Sequence, residues 1–196
     1  SPVRYAGVGF TSSDGCAVTA NDVRILDDAG NELPRHEEGE ICSWGPMVML
    51  EYWQDPARTA EVFTDAGYFR SGDLGRMDDD GYVRVTGRKK ELVNRGGVKI
   101  APREIEDILV THPEIADAAV IGMPDERLGE KICAFIVPAE GASPSFDTVT
   151  AHVRAQGVAV QKLPERVELI DELPRTATGK VEKFRLQARI EELLNG

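Results

Sequence analysis

The sequence predicts an α+β fold, and three observations predict it. Up to Gly87 the chain is built of short stretches of alternating apolar and polar residues separated by turn residues, the pattern of β-strands. Beyond Gly87, helical apolar spacings and β-branched runs are mixed. The two kinds of element follow one another without the strict strand–helix–strand alternation of a parallel sheet. At 196 residues the chain has room for one domain, or for one domain and a substantial piece of another. The change of character falls within Gly87-Arg88-Lys89-Lys90, giving a β-rich part over 1–87 and a compact α+β part over 88–196.

In order, Val23 to Asp28 alternates and runs into Asp28-Ala29-Gly30-Asn31, a strand followed by a turn, and Glu40 to Trp44 is a second short strand. Asp55-Pro56 opens a helix carrying Ala57 to Phe63, with aspartate as N-cap and proline preset for the first helical position. Tyr68 to Leu74 and Tyr82 to Thr86 are strands joined through the turn Asp78-Asp79-Asp80-Gly81. Glu91 to Asn94 and Val98 to Ile100 flank Gly96-Gly97 like the arms of a hairpin. Pro102 starts a helix whose Ile105, Ile108 and Leu109 share one face. Ile115 to Ile121 and Lys131 to Val137 read as buried strands, Phe146 to Ala155 as a helix ended near Gly157, and Arg166 to Ile170 as a strand. Val181 to Leu194 is an amphipathic helix offering Phe184, Leu186, Ile190 and Leu193 for packing. Trp44 and Trp53 are read as packing residues.

A hydrophobic share of 41% suits a globular protein, and a formal net charge of -11 argues against nucleic-acid binding, which needs clustered lysine and arginine. Cys16, Cys42 and Cys133 are odd in number and match no metal spacing, as expected of a reduced intracellular protein. His36, His112 and His152 lie far apart, so no metal site is expected from these residues. No apolar run is long enough to span a bilayer and no signal peptide is evident, so the expected location is cytoplasmic.

Several residues admit both a chemical and an ordinary reading. Asp73, after Gly72 at a strand end, is either a turn aspartate or an acceptor for the two hydroxyls of a vicinal diol. Arg88 is a surface arginine or a guanidinium fork for ribose and phosphate oxygens. Gly96-Gly97 makes a tight turn and also lets another molecule approach the backbone. Lys180, presented by Leu173-Pro174-Arg175-Thr176-Ala177-Thr178-Gly179-Lys180-Val181, is a solvated loop lysine or a catalytic cation.

Three segments in this order narrow the choice: Tyr68-Phe69-Arg70-Ser71-Gly72-Asp73-Leu74, the run from Gly87 to Glu106 (GRKKELVNRGGVKIAPREIE), and the loop carrying Lys180. Together they resemble the C-terminal signature motifs of the adenylate-forming enzymes: acyl-CoA synthetases, luciferases and peptide-synthetase adenylation domains. The resemblance extends from about Asp22 to Leu194. It implies a compact C-terminal lid domain preceded by a strand-rich remnant of the larger N-terminal domain. The family's phosphate-binding loop and acyl-binding domain belong upstream of Ser1, so the chain is expected to be the C-terminal part of a longer enzyme.

The resemblance also implies roles. Asp73 would hold the ribose of ATP and AMP, Arg88 would contact the nucleotide, and Lys90 would be the hinge, a position that holds Asp or Lys. Gly96 and Gly97 would line the tunnel for the pantetheine arm of CoA, and Lys99 stands where Glu or Gln often faces the nucleotide. Lys180 would stabilise the charge that develops as a carboxylate attacks the α-phosphate, with Thr176, Thr178 and Gly179 shaping its loop. The function implied is an AMP-dependent acid:CoA ligase using ATP, Mg2+ and CoA on a carboxylic acid, in the manner of fatty and aryl acyl-CoA synthetases. The partner of this chain would be the missing N-terminal domain, and the chain alone is expected to be inactive. The alternatives are an adenylation domain loading a carrier protein and a non-catalytic interaction module that retains the fold.

Overall fold

The computed structural model describes residues 13–195, so the first twelve residues of the expected 1–87 part, and Gly196, lie outside the described residues. The chain falls into two compact units that divide between Lys90 and Glu91, a few residues beyond the border expected at 87/88. Both units mix antiparallel strands with helices, the α+β architecture that the sequence predicts.

The first unit is a five-stranded antiparallel sheet in the order β1-β5-β4-β3-β2, with β1 Gly15–Cys16, β2 Asp22–Leu26, β3 Gly39–Trp44, β4 Phe69–Met77 and β5 Tyr82–Arg88. Ile25, Met77 and Val83 form its buried core, with Val23, Leu33 and Ile41 against them. Gly39 pairs with Gly75 across β3 and β4, and a Cβ on Gly75 would stand 2.7 Å from the Arg84 carbonyl oxygen. A side chain there would force β4 and β5 apart. Helix α1, Pro56–Glu61, begins as its sequence requires: Asp55 Oδ1 accepts from the Arg58 amide at 3.0 Å. Trp44 and Trp53 do not pack into this core; they are 54% and 84% exposed. The segment between them leads to α1, which buries none of its own residues, and neither tryptophan belongs to the core cluster among the described residues.

The second unit is built on a long hairpin of β8 Ile115–Asp125 and β9 Gly129–Pro138. β10 Arg166–Leu169 runs parallel to β9 along the edge that β8 leaves open, and β6 Val93–Arg95 meets the same edge further along, at Gly129, and pairs with β7 Val98–Ile100. Both faces of the hairpin are covered, which explains its nearly unbroken apolar runs. Ala118, Val120, Ile132, Ala134 and Ile136 pack with Ile105 and Leu109 of α2 Pro102–Leu109 and with Val149 and Val153 of α3 Phe146–Ala155. Ala119, Ile121, Cys133 and Phe135 face the opposite way, against Leu186 and Ile190 of α4 Lys183–Asn195. Alternation along each strand sorts its side chains between two cores.

The last helix departs from expectation in two ways. It starts at Lys183 rather than Val181, because Val181 forms a bridge with Arg175 and the Glu182 amide donates to the Pro174 carbonyl. Only Leu186 and Ile190 of its four expected packing residues are buried; Phe184 is 68% exposed and Leu193 is 46% exposed. Phe184 lies about 200° around the helix from Leu186 and so points off the buried stripe. Glu91, expected in a hairpin arm, instead ends a single 3-10 turn, Lys89–Glu91. Among the described residues no helix is long and apolar enough to cross a membrane.

Candidate active site

In the first unit the site is made by strand register. Asp73 of β4 and Arg88 of β5 are cross-strand partners, although 15 residues apart in sequence, and Arg88 Nε donates to Asp73 Oδ1 at 2.6 Å. Both side chains are about one-third exposed. The chain reaches this geometry through Gly72, whose φ of 74° lies in the left-handed region that glycine adopts without strain. Ser71 Oγ accepts from the Asp73 amide at 3.0 Å and donates to the Ile41 carbonyl at 2.7 Å, fixing the approach to the carboxylate. A carboxylate and a guanidinium side by side present acceptors for a diol next to donors for phosphate oxygens.

Beyond Arg88 the strand ends in the 3-10 turn. Lys89 Nζ contacts Asp28 Oδ1 at 2.8 Å and Glu40 Oε2 at 3.1 Å. The hydrogen bond to Asp28, followed by those to Glu40, raises the Lys89 pKa against the opposing effect of burial. Lys90, the expected hinge, is exposed.

In the second unit, Gly96 and Gly97 have φ of 58° and 87° and connect Arg95 to Val98, the positive pair of a two-residue hairpin turn. The hairpin is anchored from behind. Arg95 donates to both oxygens of Glu165, at 3.0 and 2.9 Å, and the Gly96 amide donates to the Leu128 carbonyl at 2.7 Å. A Cβ on Gly97 would meet nothing within 4 Å, so that backbone is open to an approaching molecule. Lys99 is exposed on β7 opposite Asn94.

Lys180 lies on a separate loop of the same unit. The Thr176 amide donates to the Lys180 carbonyl at 2.8 Å, the Gly179 amide to the Thr176 carbonyl at 2.9 Å, and the Thr176 and Thr178 hydroxyls are 2.9 Å apart. Arg175 ties this loop down from one side, donating to the Gly179 carbonyl and, at 2.6 Å, to Asp117 Oδ2 on β8. Among the described residues the Lys180 ammonium has no hydrogen-bond or ion-pair partner and is exposed. The loop is braced while its charge projects outward, the arrangement required of a cation that meets an external anion.

Strand pairing thus brings Asp73 and Arg88 together, while Gly96, Gly97 and Lys99 share one hairpin and Lys180 stands on another loop. Sequence reasoning missed three supporting residues. Arg175 and Glu165 act through partners 58 and 70 residues away, which no local pattern reveals. Glu40 is a buried carboxylate at 5% exposure, and its one sequence signal is an acid set among the apolar residues of a strand. Cys42 and Cys133 take no part in this chemistry: burial pushes their thiols up to about 11 and about 12, which keeps them protonated at neutral pH.

Residues 8–53 match the family model of AMP-binding enzymes, and residues 104–180 match that of the AMP-binding enzyme C-terminal domain. The chain is 45% identical to the medium-chain fatty-acid--CoA ligase of Escherichia coli over 92% of its own length and 32% of the ligase. It is 39% identical to the 2,3-dihydroxybenzoate-AMP ligase of Bacillus subtilis, over 89% of this chain and 32% of that one. The crystal structure of ATP-bound MatB from Rhodopseudomonas palustris superimposes with a TM-score of 0.90 at 36% identity, covering 96% of this chain and 38% of MatB. The chain therefore belongs to the adenylate-forming, AMP-binding enzymes, whose members here include acyl-CoA ligases and adenylation enzymes. It spans about a third of the length of the curated relatives it matches.

Proposed function

We infer that this sequence supplies the nucleotide-holding and lid portion of an AMP-forming acid–thiol ligase, an acyl-CoA synthetase. The observation that carries this reading is the Asp73–Arg88 pair, which puts diol acceptors beside phosphate donors at the end of two paired strands. Residues 1–87 are the end of a larger N-terminal domain, 88–196 form a mobile C-terminal domain, and Lys90 is the hinge between them. In the first half-reaction a carboxylate oxygen attacks the α-phosphorus of ATP, the bond to pyrophosphate breaks, and an acyl-adenylate forms. Asp73 accepts from the ribose hydroxyls, Arg88 contacts the nucleotide, and the Lys180 ammonium offsets the negative charge between the acyl oxygen and the phosphoryl group. Lys99 adds a second positive charge near the nucleotide. In the second half-reaction the CoA thiol loses its proton and attacks the acyl carbon, and AMP leaves. Gly96 and Gly97 then leave room for the pantetheine arm.

Magnesium enters with the phosphates of ATP. Among the described residues no group of three or more His, Cys, Asp or Glu side chains converges to hold a metal. The motif resemblance to peptide-synthetase adenylation domains supports a second reading, in which a carrier protein replaces CoA as thiol acceptor.

The full-length protein carrying this sequence should exchange pyrophosphate into ATP only when a carboxylic acid is present, and should form acyl-CoA when CoA is added. Exchange without acyl-CoA, but with loading of a holo carrier protein, would select the second reading. No acid-dependent exchange across fatty and aryl acids would remove both. The 196-residue chain alone should be silent in these assays, and acyl-CoA formation by it would overturn the division of labour proposed here.

A further inference from the structure

Glu40 is a charged side chain buried to 5% exposure inside the first unit, on the strand next to the Asp73–Arg88 pair. Taking a carboxylate out of water is unfavourable unless donors replace its hydration shell. Three do so here. Glu40 Oε1 accepts from the Gly72 amide at 3.2 Å, and Oε2 accepts from Arg70 Nη1 at 2.9 Å and from Lys89 Nζ at 3.1 Å.

The identity of those donors gives the carboxylate its meaning. Gly72 immediately precedes Asp73, and Lys89 immediately follows Arg88. Register places Glu40 opposite Leu74 and Leu74 opposite Gly87, the row adjacent to Asp73 and Arg88 across all three strands. Glu40 therefore grips β4 and the turn that follows β5 at the residues flanking the pair. The β4–β5 register shifts between Leu74 and Gly75, so backbone hydrogen bonding is irregular just where the two side chains must align. A fixed negative charge gripping both flanks compensates for that irregularity.

We propose that Glu40 is a positioning residue for the nucleotide ribose, setting the alignment of Asp73 and Arg88 through the Gly72 amide and the Lys89 ammonium. It rests on the reading of Asp73 and Arg88 as nucleotide contacts. A merely structural Glu40 would lower stability when changed, yet leave untouched the distinction between a ribose with both hydroxyls and one lacking a hydroxyl.

The test uses the full-length protein and acid-dependent pyrophosphate exchange, measuring the preference in kcat/KM for ATP over 2′-deoxyATP beside the thermal unfolding midpoint. In Glu40→Gln, which keeps the shape but not the charge, the preference should fall about tenfold, the equivalent of one charge-assisted hydrogen bond. Glu40→Asp, which keeps the charge on a shorter stem, should recover part of it. An unchanged preference in folded Glu40→Gln overturns the proposal, whatever happens to the midpoint. Should Glu40→Gln fail to fold, Lys89→Met removes one of the three donors and the same ratio decides: a reduced preference supports positioning and an unchanged one overturns it. Asp73→Asn separates the two layers. If it too leaves the preference intact, the nucleotide reading itself falls; if it abolishes the preference while Glu40→Gln does not, only the positioning role falls.

Discussion

Arg88 Nε donates to Asp73 Oδ1 at 2.6 Å across a β4–β5 register in which the two residues are direct partners. Each side chain thereby restrains the other before any ligand arrives. Preorganisation of this kind lowers the ordering cost of binding.

The first prediction follows from that pairing. Asp73→Asn and Arg88→Met should each raise the KM for ATP in pyrophosphate exchange by roughly 10- to 100-fold, the size of a lost charge-assisted hydrogen bond. Because the residues contact each other, the double variant should lose less than the product of the two single effects. Initial-rate measurements on the four proteins check this. Multiplicative losses would show that the two act independently.

If Lys180 is the adenylation cation proposed above, its replacement separates the two half-reactions. Lys180→Ala should slow adenylation by about 10²- to 10³-fold, as removal of one transition-state donor commonly does. Thioester formation from supplied acyl-adenylate and CoA should remain close to wild type. The side chain is exposed and contributes little to packing, so the unfolding midpoint should not move. Equal losses in both half-reactions, in a folded variant, would remove the adenylation-specific role.

Lys90 lies at the end of the first unit, within the 3-10 turn Lys89–Glu91. If it is the hinge, Lys90→Pro fixes φ where a large dihedral change is needed. Thioester formation should then fall far more than adenylation. Rapid-quench measurement of each step distinguishes this from a general loss of stability, which would depress both.

The Arg95–Glu165 brace behind the glycine hairpin gives a pH-dependent stability. Burial tends to raise the Glu165 carboxyl, but hydrogen bonds from Arg95 and the Ile132 amide outweigh it and leave the pKa below the ordinary 4.5. A depressed folded-state pKa means that the stabilisation is fully present above the unfolded value and is lost as pH falls through the folded value. With both side chains about one-quarter exposed, solvent screening limits the contribution to about 1–2 kcal/mol. Glu165→Gln should therefore be less stable than wild type in urea unfolding at pH 7, and the difference should narrow as the pH falls below the ordinary 4.5 and through the depressed folded value. A gap that persists at low pH would assign the loss to packing instead.

Much of the fold was legible in the sequence because it is written locally. Asp55 before Pro56 announces a helix start, and the side chain caps it as expected. Gly96-Gly97 announces a turn with positive dihedrals, and both glycines adopt them. Ile105 and Leu109 announce the buried stripe of a helix, and both are fully buried. Phe184 shows the limit of such reading, since an apolar residue can satisfy a composition count while its direction on the helix carries it to the surface.

The sequence by itself determined where the strands and helices lie and which glycines turn the chain, because side-chain periodicity and backbone dihedral preference act over a few residues. Tertiary structure alone decided that Asp73 meets Arg88, that β10 joins β9 in parallel, that Arg175 reaches Asp117, and that Glu40 is buried among three donors. Each of these depends on which strands come to lie side by side and in what register. A charge acquires its partners only when folding has brought distant segments within hydrogen-bonding distance and removed the water between them.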